Sequence, residues 1–349
     1  MKTKAAILNE LNKPLIVDDI EIPKLKVGQV LVQIHYSGIC GAQIGEIQGA
    51  GGEDKYLPHL LGHEGAGVVV EIGEGVTTVK ENDNVVCHWR KGDGIDSQFP
   101  IYKWGDKEVG GGKVTTFSEY SVVSENRLTK TDKKYPLREA SLMGCSITTG
   151  LGLINNEARL KIGQSILVIG CGGIGMNVIQ GARMISAHPI IAVDKKIDRL
   201  EEACGMGATI TTTSVSLIEI IEGHYIDVVV DTTGNSGAIE KGWKMVSSGG
   251  KMILVGQPNH KDCFEFDYVR ENFYTNKVMF DSQGGLTNPT VDIPRYLELY
   301  AVGKLDIDGG VGYPLEDINE AIEDMQQGTV IKPILKMRYE KCRKVFKRN

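Results

Sequence analysis

The pattern of hydrophobic and polar positions changes along the chain. Before residue 140, apolar residues form short runs that end at glycine, such as QVLVQIHYSG (29–38), GAGVVVEIGEGV (65–76) and DNVVCHW (83–89). Runs that are rich in β-branched residues and bounded by turn residues predict strands. The sequence therefore predicts a mostly β region in this part of the chain.

Beyond residue 147 the pattern becomes strand, helix, strand. The apolar runs SILVIG (165–170), IIAVD (190–194) and IDVVVDTTG (226–234) are separated by stretches with helical spacing. Near-continuous apolar strands that alternate with helices indicate a parallel sheet covered on both faces. We therefore predict an α/β domain at residues 147–285.

The remaining chain is predicted to return to the β region. PRYLELYAVGKL (294–305) and LEDINEAIEDMQQG (315–328) have the spacing of amphipathic helices. The first predicted domain therefore comprises residues 1–146 and 286–349. Residues 91–115, with three consecutive glycines, are predicted to be irregular, either a binding loop or lid or a surface insertion.

Composition excludes several functional classes. The chain has 349 residues, of which 41% are hydrophobic and 24% charged, as in soluble globular proteins. Its formal net charge of −6 argues against nucleic acid as a partner. No apolar run approaches the ~20 residues that span a bilayer, and no apolar signal core follows the first residues. We expect a cytoplasmic protein, and a solvated end for the basic residues 338–349.

A glycine-rich turn follows the strand SILVI. VIGCGGIGMNVIQ contains G-x-G-x-x-G at Gly170, Gly172 and Gly175, and it opens an apolar helix. In such turns the glycines permit the tight turn, the approach of a pyrophosphate and close packing of helix on strand. The helix N-terminus then faces the phosphates. The candidate dinucleotide contacts from this region are Gly170, Gly172, Gly173, Gly175, Asp194, Arg199 and Thr233.

An acidic residue, Asp194, ends the next strand, nineteen residues after Gly175. A carboxylate there accepts hydrogen bonds from the adenosine ribose and repels a 2′-phosphate, which favours NAD over NADP. NADP stays the alternative cofactor because three basic residues lie nearby, Lys195, Lys196 and Arg199. The structural alternative is a glycine turn in an α/β domain that binds no ligand.

Three residues are candidate metal ligands: Cys40 in HYSGICGAQIGE, His63 in LLGHEGAGVVV and Cys145 in LMGCSITTG. They lie far apart, so their spacing proves no site, and a single Cys or His is more often structural. Two thiolates and one imidazole nevertheless suit zinc, with a fourth position open to water or substrate. The seven cysteines are odd in number and contain no C-x-x-C pair, which argues against a disulfide framework.

The order of these motifs resembles that of the zinc-dependent medium-chain alcohol dehydrogenases along essentially the whole chain. The motifs are GICGAQ, GHEGAGVVVEIGEGV, GCSITTGLG and VIGCGGIG with its later VD. The resemblance implies a Rossmann-type doubly wound parallel sheet plus a mostly β GroES-like catalytic domain. It also implies NAD-linked oxidation of a small-molecule alcohol, and a homodimer or homotetramer. The charge and the apolar runs described above indicate no nucleic-acid and no membrane partner.

The resemblance also implies roles for single residues. Cys40, His63 and Cys145 match the ligands of the catalytic zinc, and Glu64 matches an occasional ligand or a neighbour of the ligands. Further matches are Thr149 and Ile174 at the nicotinamide, Trp89 in the substrate pocket and, more weakly, Lys332 near the cofactor phosphates. The alternative for Trp89 is an ordinary core aromatic.

The sequence departs from the family in two places. Many members hold a second, structural zinc with four close cysteines, but here no cysteine lies between Cys87 and Cys145, so we predict one zinc per chain. The family's proton relay uses a Ser or Thr two residues after the first ligand, where this chain has Ala42, and a histidine further on, where it has Gly45. Gln43 replaces the usual aspartate and is expected to orient His63.

Because alanine carries no exchangeable proton, another group must accept the proton of the alcohol. The candidates are Glu64, His35, His59, His88, a water chain or a hydroxyl of the substrate itself, and we favour Glu64 or water. We predict a polar, sugar- or polyol-like alcohol as substrate. The alternative substrates are a simple alcohol or a glutathione-bound hydroxymethyl group. The alternative functions are a zinc-free quinone or enone reductase and a catalytically silent NAD-binding protein.

Overall fold

The computed structural model describes residues 1–214, 226–267, 269, 273–307 and 310–338. The chain divides into two compact units. The first comprises Met1–Gln48, Asp54–Gly144 and Asp308–Asn349, and the second comprises Gly49–Glu53 and Cys145–Ile307. The basic tail lies, after Arg338, outside the described residues, and so does Cys342.

The boundaries of the units differ from the predicted domains mainly at the return to the first unit. The chain leaves the first unit after Gly144, two residues before the predicted boundary, but returns at residue 308 and not at 286. The reason is the helix Pro289–Ala301, which packs on the helix Ser146–Gly152 within the second unit. In addition, the Thr287 hydroxyl donates a hydrogen bond to the carbonyl oxygen of Thr148 at 2.9 Å.

The first unit is mostly β. Its strands are β1 (Lys2–Leu8), β2 (Ile16–Glu21), β3 (Gln29–Gly38), β4 (His59–Leu60), β5 (Glu64–Ile72), β6 (Asn84–His88), β7 (Ile101–Trp104), β8 (Lys107–Gly110), β9 (Tyr120–Ser124), β10 (Leu128–Thr131), β17 (Gly312–Pro314) and β18 (Ile334–Lys336). The strands β1-β2-β7-β8-β4 close a barrel. A second sheet has the order β10-β6-β5-β3-β18-β17, with β9 paired to β3. The helices of this unit are α1 (Gly41–Ile47), α2 (Leu137–Ser141) and α8 (Ile318–Gln327).

The pairing of β3 with β5 positions the first two candidate ligands. The strands are antiparallel, with Tyr36 opposite Ala66 and Ser37 opposite Gly65. The end of β3 therefore lies beside the start of β5. Cys40 follows β3 by two residues and His63 immediately precedes β5, so this register brings the two residues together.

The prediction of a wholly irregular segment at 91–115 is wrong for part of that range. Strands β7 and β8 form an antiparallel hairpin in which Trp104 pairs with Lys107. Its two-residue turn begins at Gly105, whose φ of +57° suits such hairpins. The alternation within IYKW and KEVG is too short to stand out among glycines and charges, and both strands pair with neighbours in the barrel that lie far away in sequence.

The second unit contains a parallel sheet, as predicted. Its strands are β11 (Ile166–Ile169), β12 (Ile190–Val193), β13 (Ile210–Thr212), β14 (Ile226–Asp231), β15 (Val246–Leu254) and β16 (Val278–Asp281). Their order is β13-β12-β11-β14-β15-β16, and every adjacent pair is parallel. The helices are α3 (Ser146–Gly152), α4 (Gly173–Met184), α5 (Ile197–Met206), α6 (Ser236–Met245) and α7 (Pro289–Ala301). All four residues of β11 are buried, as expected for a central strand covered on both faces.

None of the helices in the described part of the chain combines the length and the apolar character that crossing a bilayer requires.

Candidate active site

The structure brings Cys40, His63 and Cys145 together. One potential ligand atom from each, two sulfurs and an imidazole nitrogen, lies within 4.8 Å of the others. Cys145 is buried and the other two are half-buried. Within the described residues this is the set of three or more metal-binding side chains close enough to share an ion. Two thiolates and an imidazole at this spacing are a donor set that suits zinc, with a fourth position left for another ligand.

Close packing at Gly144 determines where Cys145 lies. A Cβ atom on Gly144 would approach the Cys87 carbonyl oxygen to 2.3 Å and the Glu64 Cα atom to 2.8 Å. Only glycine lets the chain pass this close to β5 and β6. Because Cys145 directly follows Gly144, Cys145 lies near Glu64, the residue that follows His63.

Gln43 orients the ring of His63. Its amide group contacts His63 Nδ1, and its Oε1 accepts a hydrogen bond from the Cys40 backbone N–H at 3.1 Å. One side chain thus links two of the candidate ligands. The contact at Nδ1 leaves Nε2 of His63 as the ligand atom, and Nε2 is buried with no hydrogen-bond partner among the described residues. A buried nitrogen without a partner is costly, so the arrangement fits a bound metal ion.

Charged neighbours affect the protonation of His63. Burial lowers its pKa, but Cys40 and Glu64 outweigh burial, so the pKa of His63 lies above its ordinary value. Because metal ions compete with protons for imidazole and thiol ligands, this rise makes metal binding at His63 more sensitive to low pH.

Glu64, the residue after His63, is fully buried and paired with Lys332. Lys332 Nζ contacts Glu64 Oε1, and the two side chains are 8% and 0% exposed. Burial raises the pKa of Glu64, while the positive charge of Lys332 acts against that rise. The backbone carbonyl oxygen of Glu64 accepts hydrogen bonds from the hydroxyls of Ser37 and Thr116 at 2.9 and 3.0 Å. This ion pair was not predicted from the sequence. Because of it, Lys332 has a partner other than the cofactor phosphates that the resemblance implies for this residue.

The other candidate proton acceptors differ in their surroundings. His88 is buried, its Nδ1–H donates to the Arg90 carbonyl oxygen at 2.7 Å, and its Nε2 accepts from the Thr129 hydroxyl at 3.0 Å. Burial lowers the pKa of His88 to about 4 and lowers that of the half-buried His35. His59 instead has a carboxylate partner, because its Nε2 lies 2.8 Å from Asp54 Oδ2.

Trp89, the candidate pocket residue, follows β6 and is half-buried. The guanidinium carbon of Arg90 lies 5.7 Å from the centroid of its ring. The ring is therefore partly accessible, and the contact is within the range of a cation–π interaction.

The glycine turn is tight, and its backbone is open at one position. Gly170 has a φ of +93°, and a Cβ atom on Gly175 would lie 1.9 Å from the Gly170 carbonyl oxygen. At Gly172, the residue before α4, a Cβ atom would meet nothing within 4 Å. The backbone at the start of α4 is thus open to an approaching phosphate, and Gly173 and Ile174 are half-buried beside it.

Asp194 stabilises the same turn. Its Oδ2 accepts a hydrogen bond from the Cys171 N–H at 2.8 Å, and Arg199 Nη1 lies 3.7 Å from that oxygen. The Nε of Arg199 is buried with no hydrogen-bond partner among the described residues. The predicted acidic residue therefore lies beside the glycine turn, with a cation next to it.

The remaining cofactor candidates are in the second unit. Thr149 is buried in α3, and its N–H donates to the Cys145 carbonyl oxygen at 2.9 Å. Thr233 follows β14, and its hydroxyl donates to Asp231 Oδ1 at 2.7 Å. No contact of these two residues by itself identifies a ligand.

Comparison with known proteins agrees with this arrangement. The family model "Alcohol dehydrogenase GroES-like domain" matches residues 26–133, and "Zinc-binding dehydrogenase" matches residues 173–299. Alcohol dehydrogenase 1 from Oryza sativa subsp. indica is 30% identical over 382 residues, which cover 97% of this chain and 98% of that protein. NDMA-dependent alcohol dehydrogenase from Amycolatopsis methanolica is 29% identical over 371 residues, which cover 96% of this chain and 99% of that protein.

Solved structures are similar over the same length. An alcohol dehydrogenase zinc-binding domain protein from Burkholderia ambifaria is 28% identical with a TM-score of 0.89, covering 97% of this chain and 100% of that chain. Benzyl alcohol dehydrogenase from Acinetobacter calcoaceticus is 25% identical with a TM-score of 0.87 and the same coverage.

Proposed function

Because this chain belongs to the zinc-dependent medium-chain alcohol dehydrogenase family, we propose that the protein oxidises an alcohol, using NAD. The reaction uses one zinc ion, which is held by Cys40, His63 and Cys145. The observation that carries the proposal is the approach of the three ligand atoms to within 4.8 Å. The buried Nε2 of His63, which lacks a partner among the described residues, supports a metal ion in particular. When bound, zinc supplies a Lewis acid that polarises the alcohol or carbonyl oxygen of the substrate.

The residues around the ligands have separate tasks. Gln43 fixes the ring of His63 and the backbone of Cys40. The ion pair of Glu64 and Lys332 places two opposite charges near His63, and both charges act on the pKa of its ring. For Nε2 of His63 to bind zinc, the ring proton must be on Nδ1. The Gln43 amide nitrogen faces Nδ1 in this structure, so acceptance of that proton by Gln43 requires a rotation of the amide that brings its oxygen to Nδ1.

We propose NAD as the hydride acceptor, with NADP as the alternative. The open backbone at Gly172 and the carboxylate of Asp194 beside the turn support a dinucleotide with a free ribose 2′-hydroxyl. Arg199, 3.7 Å from Asp194, is the residue that would favour a 2′-phosphate instead. Thr149, Ile174 and Thr233 are proposed contacts of the same cofactor.

The substrate is proposed to be a polar, sugar- or polyol-like alcohol, with a simple alcohol as the rival. Trp89, half-buried after β6, is proposed to line its pocket. The expected homodimer or homotetramer and the cytoplasmic location stay predictions.

The test is a panel of alcohols and sugars assayed with NAD and with NADP, together with metal analysis of the purified protein. We expect NADH formation and one zinc per chain. Replacement of Cys145 by alanine should abolish both, whereas replacement of Cys204, an exposed cysteine, should change neither. A metal-free wild type that reduces quinones or enones would support the reductase instead. Tight NADH binding without turnover of any alcohol or aldehyde would support the silent protein.

A further inference from the structure

A cluster of three ionisable residues lies in the first unit near His63. His59 Nε2 is 2.8 Å from Asp54 Oδ2 and 3.9 Å from Glu46 Oε1. The other ring nitrogen, Nδ1, is 3.1 Å from the Leu60 carbonyl oxygen. Glu46 belongs to α1, Asp54 to the following loop and His59 to β4. Sequence reasoning considered only His59 among the three.

His59 has an acceptor oxygen at each of its ring nitrogens. Both of its ring nitrogens face oxygen atoms that accept hydrogen bonds, the carbonyl oxygen of Leu60 and the carboxylate of Asp54. A neutral imidazole has one N–H and satisfies one of these contacts, whereas an imidazolium satisfies both. The cluster can therefore hold a proton among a ring and two carboxylates.

The two carboxylates differ in their proton affinity. Burial opposes ionisation of Asp54, but hydrogen bonds from the Tyr56 N–H and from His59 outweigh it, so the pKa of Asp54 lies below its ordinary value. Desolvation raises the pKa of Glu46 and Asp54 adds to the rise, while His59 and His63 act against it. Two nearby carboxyl groups with pKa values pushed apart are typical of acid–base sites. Glu46 is also 46% exposed, so it can exchange protons with solvent.

Glu46 lies on α1, one helical turn after Ala42 and Gln43. Helix α1 begins immediately after Cys40, and its residue Gln43 contacts His63. Residues three and four positions apart are neighbours on a helix surface, and Glu46 is three residues after Gln43 and four after Ala42. It is therefore an ionisable side chain next to the position where Ala42 has no proton to transfer.

We propose that Glu46 is the group that accepts the hydroxyl proton when the alcohol is oxidised, and that His59 and Asp54 position it and return the proton to solvent. The proposal rests on the proposed function. Oxidation by a nicotinamide dinucleotide releases one proton for each hydride transferred. The O–H bond of the alcohol breaks and the proton binds a carboxylate oxygen of Glu46, directly or through one water molecule. In the reverse reaction Glu46 donates this proton to the carbonyl oxygen.

The kinetic test compares Glu46→Gln, Glu46→Asp and wild type as zinc-loaded enzymes across a pH series. General acid–base groups contribute about 10²–10⁴-fold, so E46Q should lower kcat for alcohol oxidation by at least about tenfold. It should also remove the loss of rate at low pH, and E46D should restore part of both. The control Glu53→Gln makes the same charge change at an exposed neighbouring residue and should leave the profile unchanged. An E46Q enzyme with the wild-type rate and profile would overturn the relay.

A second readout does not depend on turnover. Nitrogen NMR of the His59 ring, in zinc-loaded protein without substrate, follows the pH at which the ring loses its proton. E46Q and Asp54→Asn should each lower this pH relative to wild type and to E53Q, because each removes a negative charge near the ring. An unchanged His59 titration in E46Q would also overturn the proposal. A wild type that oxidises no alcohol contradicts the proposed function, whereas an active wild type with an unaffected E46Q contradicts the relay alone.

Discussion

The ammonium group of Lys332 lies against the carboxylate of Glu64 in the interior of the first unit. Lys332 is two residues before β18, which pairs with β3, and Glu64 is the first residue of β5. The pair therefore ties the C-terminal strands to the residue that follows His63. A Cβ atom on Gly38 would lie 2.8 Å from Glu64 Oε1, so a glycine at this position leaves room for the carboxylate.

Removal of Lys332 alone should destabilise the protein strongly. Breaking a buried ion pair leaves an uncompensated charge and typically costs about 3–5 kcal/mol, so Lys332→Met should lower the free energy of unfolding by about that amount. The double variant Lys332→Met, Glu64→Leu removes both charges and should recover most of the loss. Urea denaturation of the zinc-loaded proteins measures both values. The account fails if the single variant is as stable as wild type, or if the double variant is no more stable than the single.

Replacement of Gln43 by leucine should weaken zinc binding and leave the fold intact. Gln43 contacts the non-ligating nitrogen of His63, and loss of such partners typically reduces metal affinity by about 10–100-fold. Competition with a chelator of known affinity measures the change. Gln48→Leu, at the exposed end of the same helix, makes the same chemical change away from His63 and should bind zinc as wild type does. Equal affinities of the two variants would show that Gln43 does not support the metal centre.

His88 should make stability depend on pH in the mildly acidic range. Burial lowers its pKa in the folded protein to about 4, whereas an unperturbed histidine titrates near about 6.5. As the pH falls, the unfolded chain therefore binds a proton before the folded one does. The contribution of neutral His88 to stability is complete above pH about 6.5 and is lost as the pH falls towards about 4.

The variant His88→Gln should remove this part of the pH dependence. The control His260→Gln changes an exposed histidine and should retain it. Unfolding free energies at several pH values between 7.5 and 4.5 provide the comparison, with flatter behaviour expected for H88Q alone. If the unfolding free energies of the two variants change with pH in the same way, the assignment of this pH dependence to His88 is wrong.

Hydrophobic patterning predicts much of the fold because several strands are buried in predictable ways. β3 coincides with QVLVQIHYSG, and β11, β12 and β14 lie within their predicted apolar runs. The hairpin of β7 and β8 escaped prediction because its two four-residue strands are stabilised by the barrel. The position of α7 in the second unit depends on its packing against α3, which periodicity does not reveal.

The candidate site was likewise predicted from the sequence only in part. The three ligands and the glycine turn were predicted from motifs and from the resemblance to a known family. The partnership of Glu64 with Lys332 joins residues 268 positions apart, and the pairing of both β5 and β18 with β3 brings them near each other. The cluster of Glu46, Asp54 and His59 depends on the path of the loop between α1 and β4. Neither arrangement has a sequence spacing that indicates it.

The most direct test of the central claim is cobalt substitution followed by electronic spectroscopy. A Co²⁺ ion bound by Cys40, His63 and Cys145 should give one cobalt per chain and an intense thiolate-to-cobalt charge-transfer band. Cys145→Ala should lose most of that band, and Cys87→Ala should keep it, because Cys87 is fully buried in β6 and burial raises its pKa to about 12. An unchanged band in Cys145→Ala, or a folded wild type that takes up no cobalt, would contradict the account.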